Sequence, residues 1–361
     1  MSKVYFSDMH YTGGNNILAK LAKLLDAAGF GDIPFAKRYA AIKIHFGEPG
    51  NLSALRPNYA KVVADKITAL GGRPFLTDCS TLYVGRRSNA LDHLGAAWEN
   101  GYNVLSCGCP ILMGDGLKGN DELIVPVPNG KILKTAHIGR TIMDADIIIS
   151  LNHFKGHQEV GFGGALKNIG MGCGSRAGKM EMHNDGKPSV KQNRCTGCRF
   201  CETNCAHDAI SFDADNKASI DHEKCVGCGR CFAICAYHAI GNDNFSANLL
   251  LSQKIAEYSA AVLAGRPHFH ISVAAQISPN CDCHGGNDVP IVQDIGLFAS
   301  FDPVALDKAC IDAVNALPSH VSGSCAGDHF LSVHPTAEWR DQLAHAEEIG
   351  IGEREYELVT V

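Results

Sequence analysis

Over the first 186 positions, apolar residues are arranged in two ways. Short β-rich runs at Val4 to Phe6, Ala40 to Phe46, Arg73 to Thr77 and Asp146 to Leu151 predict strands. The last holds three consecutive isoleucines, the pattern of a buried strand. Between these runs, Ile17 to Ala28, Asn58 to Leu70 and Asn89 to Asn100 carry apolar residues at helical spacing, with Pro57 placed to open the second. The alternation stops near residue 186 and resumes near residue 244. There Ala247 to Leu263 predicts a helix, and His268 to Ile277 and Ile291 to Phe298 predict strands. Asp302-Pro303 is an N-cap with proline at the first helical position, opening a helix to about Leu317. Strands and helices alternating at this spacing imply parallel pairing. Neither flank is complete alone. The expected fold is an α/β body with a mainly parallel sheet, built from residues 1–186 and 244–361. A small α+β module at 187–243 interrupts it.

Length and charge narrow the function. A chain of 361 residues buries a large core without metal or disulfide staples. A net charge of −6 with both signs mixed argues against nucleic-acid binding. No apolar run approaches the roughly 18 residues of a membrane helix. Met1 to Gly14 has no secretory pattern, so the expected location is cytoplasmic. In that setting 16 cysteines point to metal or redox chemistry.

Eight of the cysteines lie within 41 residues. Cys195, Cys198, Cys201 and Cys205 are separated by two, two and three residues, and Cys225, Cys228, Cys231 and Cys235 repeat that spacing. The flanks Cys205-Ala-His-Asp-Ala-Ile210 and Cys235-Ala-Tyr-His-Ala-Ile240 repeat as well, so the segment is a duplication. Three thiolates at two-residue gaps wrap one face of a cubane, and in a duplicated arrangement the fourth ligates the other cluster. Cluster one therefore takes Cys195, Cys198, Cys201 and Cys235. Cluster two takes Cys225, Cys228, Cys231 and Cys205. Gly197, Gly227 and Gly229 let backbone amides approach the sulfides. Zinc rarely uses this spacing, and disulfides are disfavoured by compartment. Residues 187–243 resemble bacterial two-cluster ferredoxins, except that Ala206 and Ala236 replace the usual proline after the fourth cysteine. Seven basic and seven acidic residues cancel across the module. Diffusing ferredoxins are typically acidic, so a neutral module tied at both ends suits a wire within a larger machine.

Four constellations on the body carry candidate chemistry. The segment from His153 to His183 holds His153, Lys155, His157, Lys167, Asn168, Lys179 and His183 among eight glycines. It leaves a strand end, where open α/β sheets place ligands, and its amides and lysines suit an anion. The alternative is a collar around the clusters. Cys281-Asp282-Cys283-His284 could supply three ligands to a soft metal, through Cys281, Cys283 and His284. His45 and Glu48 could form an acid–base pair near Arg56. Asp78-Cys79 with Arg86 and Arg87 reads more simply as structural.

Several blocks together resemble the domain-of-unknown-function 362 family. They are Lys43-Ile-His45-Phe-Gly47-Glu48, Thr77-Asp78, Asn152-His153-Phe-Lys155-Gly-His157 through Lys167-Asn168, Cys281-Asp-Cys283 and Ser300-Phe-Asp302-Pro303. The resemblance extends over nearly the full length and points to the iron–sulfur centre proteins of that family. It implies fold, clusters and a cytosolic setting, and supplies no substrate. The expected protein is an iron–sulfur oxidoreductase with two [4Fe-4S] clusters and an electron-donor protein as partner. It would act on a small anionic substrate or a cofactor, with His45, His153, His157 and Lys167 as proton donors. Lys155, Asn168, Lys179 and His183 would hold the substrate. No flavin or nicotinamide motif accompanies these residues, and oxygen sensitivity is expected. A non-catalytic electron-transfer subunit and a metal or cluster assembly factor are the alternatives.

Overall fold

Helices in the N-terminal half start where the sequence supplies a cap. Asn16 accepts from the Leu18 and Ala19 N–H groups to open α1 (Ile17–Ala27). Proline opens α2 (Pro57–Ala69), and Asn89 accepts from Leu91 and Asp92 N–H to open α3 (Ala90–Glu99). The protein is a computed structural model. It describes the whole chain except residues 83–84, 184–186, 226–230, 232–234, 236, 238, 242–244 and 322–326. Cys228, Gly227, Gly229 and Ala236 therefore lie outside the described residues.

Eight strands form one sheet: β1 (Ser2–Asp8), β2 (Tyr39–Lys43), β3 (Arg73–Asp78), β4 (Ile111–Met113), β5 (Ile147–His153), β6 (His268–Ala274), β7 (Gly296–Ser300) and β8 (Tyr356–Thr360). Their spatial order is β8-β1-β7-β6-β5-β2-β3-β4. The run from β6 to β4 is parallel throughout, as is β8 on β1. Only β7 runs antiparallel, to both of its neighbours. The fold is thus mixed α/β with a mainly parallel central sheet, and strands from both flanks of the cysteine-rich segment share it.

Alternate residues of β5 enter opposite layers, as a strand's period of two requires. Ile147, Ile149 and Leu151 pack with Leu21, Leu25, Val63 and Ile67 of α1 and α2. Ile148 packs on the other face, with Ile255 and Tyr258. That face is covered by α4 (Ala165–Cys173), α5 (Arg176–His183) and α6 (Phe245–Leu263). Beside them α7 (Pro303–Asn315) and α8 (Arg340–Glu348) close a further apolar cluster around Val304, Leu306, Ile311 and Leu343. The expected strand from Ile291 begins only at Gly296. Ile291 and Val292 are fully buried, but in a loop whose Ile291 N–H bonds Ile277 O and whose Asp294 carboxylate accepts the Gln276 N–H. Burial without ladder pairing explains the misread boundary.

The cysteine-rich segment contributes two short antiparallel pairings. Ser189–Val190 pairs with Ile240–Gly241, and Ile210–Phe212 with Ala218–Ile220. They close on a small core of Cys201, Ile210, Ala218 and Ile240, flanked by Cys195, Cys205, Cys231 and Cys235.

Candidate functional site

Parallel strands bring their carboxyl ends to one edge, and the chemistry of this chain collects there. Lys43 ends β2 and Asp78 ends β3. His153 ends β5, and the turn carrying Cys281 follows β6. A cleft of about 1120 Å³, counting its open mouth, lies over this edge. His45, His153, His157, Lys167, Lys155, Asn168, Lys179 and His183 all line it, so the eight residues singled out in the sequence meet in one place. Lys43, Asp78 and Arg87 line it too.

Most of these side chains are held by buried partners. Lys43 Nζ lies 2.9 Å from Asp78 Oδ1 and donates to Asn168 Oδ1 at 2.7 Å. Burial would raise the Asp78 carboxyl, but the Lys43 ammonium and His93 hold it well below the usual carboxylate range. Asn168 Nδ2 donates to Lys43 O, Leu151 O and Asn152 Oδ1, which ties α4 to the sheet. His153 Nδ1 meets Asp282 at 2.8 Å and Nε2 meets Ala275 O at 2.9 Å, so both its nitrogens face acceptors. Lys155 Nζ is 3.2 Å from the same Asp282. Burial raises the Asp282 carboxyl, but His153 and Lys155 outweigh it and hold the group ionised.

His45 and Glu48 do not pair. Arg87 stands between them, with Nε 2.8 Å from Glu48 Oε2 and Nη1 2.9 Å from His45 Nε2. Glu48 also accepts the Arg86 N–H, at 2.7 Å. Burial and then the Arg87 charge push His45 well below the ordinary imidazole value, so it stays neutral. Arg87 reads as structural in the sequence, grouped with Asp78, Cys79 and Arg86, because an Arg-Arg pair in a loop carries no pattern. Its value comes from the loop folding back onto the end of β2.

Cys283 and His157 line the cleft, and Cys281 is buried beside them. His157, Cys281 and Cys283 bring one donor atom each within 4.8 Å of one another, a set that could hold a metal ion. The third donor is thus His157 rather than His284, which lies in the cleft wall and donates its N–H to Cys281 O. Lys167 Nζ approaches Cys281 Sγ at 3.5 Å. A bond from the Cys283 thiol, with Lys167 and His157, outweighs burial and draws Cys281 well below the usual thiol range. Cys283 is raised correspondingly by that shared proton. Burial, then Lys167, pushes His157 down to about 4.

A second cavity lies within the cysteine-rich segment. Cys195, Cys198, Cys201 and Cys235 line it, together with Phe212, Ala218 and Ile240. Cys205, fourth in the first run, is not among its walls. Backbone amides already point at sulfurs: Ala218 N–H at Cys195 (3.4 Å), Ala239 N–H at Cys235 (3.3 Å) and Ala209 N–H at Cys205 (3.4 Å). Cys225 and Cys231 are half-buried. None of these cysteines lines the large cleft among the described residues. The cleft does take His183, Leu251 and Ile255, from the helices that enter and leave the segment.

A family model described as "Domain of unknown function (DUF362)" matches residues 40–312. No curated protein matches the chain. Among solved structures, the chain is similar to the lactate racemase apoprotein from Thermoanaerobacterium thermosaccharolyticum, at 10% identity and a TM-score of 0.38. That match covers 87% of this chain and 58% of the other. A protein from Thermotoga maritima matches at 12% identity and a TM-score of 0.37, over 83% of this chain and 60% of that one. The chain therefore spans about three fifths of the length of each. No helix is long and apolar enough to cross a membrane among the described residues.

Proposed function

The chain belongs to the DUF362 family, and we propose that it is an iron–sulfur oxidoreductase acting on a small anionic compound bound in the large cleft. The observation that carries the electron-transfer half is the cavity formed by Cys195, Cys198, Cys201 and Cys235. Four thiols are among the residues lining it, with amides directed at two of them, the donor chemistry of a [4Fe-4S] cluster. They are also the crossed set that the duplicated spacing implies. Cys225, Cys231 and Cys205 are assigned to a second cluster with Cys228. When bound, such clusters supply single electrons at low potential.

The body supplies binding and protons. Lys167 and Lys179 line the cleft without a carboxylate partner within ion-pair distance among the described residues; Lys167 faces Cys281 Sγ and Lys179 donates to Gly174 O, and the two are assigned to anion binding. Arg87 and Lys155 are neutralised by Glu48 and Asp282 and serve as positioned donors. His153, with both nitrogens engaged, anchors the thiol turn rather than shuttling protons. Lys167, half-buried in the cleft wall with Nζ 3.5 Å from Cys281 Sγ, is assigned the proton-donor role. A diffusing carrier has no use for a cleft of this kind, so the cleft favours catalysis over the electron-carrier alternative.

Metal analysis of anaerobically purified protein tests the reading. About eight iron and eight acid-labile sulfide per chain are expected. Zinc in their place, with no sulfide, would overturn it.

A further inference from the structure

The Cys281–Cys283 turn carries a chemistry that cluster electron transfer does not require. We propose that Cys281 and Cys283 are a reversible dithiol–disulfide couple in the cleft wall, reducing organic disulfides that bear negative charge. The proposal takes the anion-binding cleft from the preceding section but not its electron source.

Geometry sets the two sulfurs up for different tasks. The turn closed by His284 N–H on Cys281 O, at 3.2 Å, brings the thiols onto one side, within 4.8 Å of each other. Cys283 lines the cleft, whereas Cys281 is fully buried behind it. The residue between them is clamped. The Asp282 side chain is held by His153 and Lys155, and its carbonyl accepts the Glu48 N–H at 2.9 Å. Arg87 Nη2 reaches the Cys283 carbonyl at 3.4 Å. The turn is therefore fixed on three sides while its sulfurs stay beside the cleft.

The orientation of His157 distinguishes a redox pair from a metal site. Its Nδ1 accepts the N–H groups of Glu159 and Val160, at 3.2 and 3.3 Å. The proton of the neutral ring therefore sits on Nε2, which leaves that nitrogen as the donor in the ring's hydrogen bond with Cys281. A metal-ligating histidine does the reverse, donating from its free nitrogen and offering a lone pair to the ion. With Lys167 Nζ at 3.5 Å, the Cys281 sulfur is surrounded by donors, which is the surrounding of a thiolate.

The exchange balances without a further reagent. Cys283 attacks one sulfur of the substrate disulfide and passes its proton to the Cys281 thiolate. The substrate S–S bond breaks, and the departing thiolate takes that proton from Cys281. Cys281 then attacks the Cys283 sulfur of the mixed disulfide and releases the second half as a thiolate. Two electrons leave the pair and reduce the substrate to a thiol and a thiolate. A dithiol reductant reverses the sequence. Lys167 and Lys179 give the cleft its preference for a charged disulfide.

The test uses the full chain, purified anaerobically and equilibrated with graded ratios of glutathione disulfide to glutathione, then trapped with iodoacetamide. Under oxidising ratios the peptide spanning Cys281 and Cys283 should be unalkylated and two hydrogens lighter. It should carry two alkyl groups under reducing ratios. Cys281→Ser should instead leave a glutathione adduct on Cys283. Lys167→Ala should slow oxidation about tenfold at unchanged circular dichroism, a readout that a merely structural lysine would not move. Two alkyl groups at every ratio would overturn the proposal, as would protection that appears only on adding zinc. Iron and sulfide assayed on the same samples score the cluster reading separately.

Discussion

Asp282 shows how much of this site depends on one buried charge. It is fully buried between the Lys155 ammonium and the His153 ring, while the chain on either side of it supplies the thiols. Replacing it with asparagine leaves the shape nearly intact but removes the counter-charge. Leaving buried cations uncompensated typically costs about 3–5 kcal/mol. Asp282→Asn is therefore expected to lower stability by that order, read from the urea midpoint. A loss below about 1 kcal/mol would mean that the three groups are not an ion cluster. The sequence made the two cysteines legible but not the aspartate between them. Cys-x-Cys is a pattern in one dimension, whereas the role of Asp282 arises only when the end of β5 meets the loop after β6. Arg87, visible in the sequence, reads there as structural for the same reason, its partners Glu48 and His45 lying far back in the chain.

The helices deliver the cleft residues, and their packing tolerances are narrow. Lys167 and Asn168 ride on α4, which lies against α6 through Gly170. A methyl group at Gly170 would meet Ile255 O at 2.1 Å and Ser259 Oγ at 2.8 Å. Gly170→Ala must push the two helices apart, at a typical overpacking cost of about 1–3 kcal/mol. Because α4 carries the cationic wall, the same change should weaken anion binding measured by calorimetry with glutathione disulfide. Unchanged stability and binding would show that α4 shifts freely. The start of α4 adds a pH signature. Asp307 accepts the Ala165 and Leu166 N–H groups, yet burial pushes its carboxyl up to about 7. The folded chain thus binds a proton that the unfolded chain, with its carboxyl near pH 4, has already released. The contribution of this group is full below about pH 4 and is lost as pH rises through about 7. Asp307→Asn should flatten the decline between about pH 4 and about pH 7, by on the order of 1–3 kcal/mol. An unaltered slope in the urea midpoints would place the Asp307 carboxyl in the ordinary range. Elements with strong local signals were readable in advance. Asp302-Pro303 opens α7, and Pro57 opens α2. The strand expected at Ile291 was not readable, because buried apolar residues look alike in a loop and in a ladder.

At the scale of the molecule, two systems share a covalent chain but not a core. Among the described residues, the three apolar clusters of the body contain no cysteine from the 195–235 segment, and Cys195, Cys201, Cys205, Cys231 and Cys235 gather around a small core of their own. The duplication was legible because it is written in spacing. The sheet was partly legible, since alternation predicted parallel strands, but the antiparallel insertion of β7 depends on a return path that no local pattern encodes. This separation makes the cluster assignment testable without disturbing the body. Cys235 lines the cavity of Cys195, Cys198 and Cys201, although thirty residues or more of chain separate it from them. In anaerobic protein, Cys235→Ser should cut iron from about eight to about four per chain. It should also expose Cys195, Cys198 and Cys201 to alkylation while Cys205, Cys225 and Cys231 stay protected. The thermal transition of the α/β body should not move, because no residue of its core has changed. If alkylation instead reaches Cys225 and Cys231 first, each run of four keeps its own cluster, and the cavity around Cys235 is only a gap between hairpins.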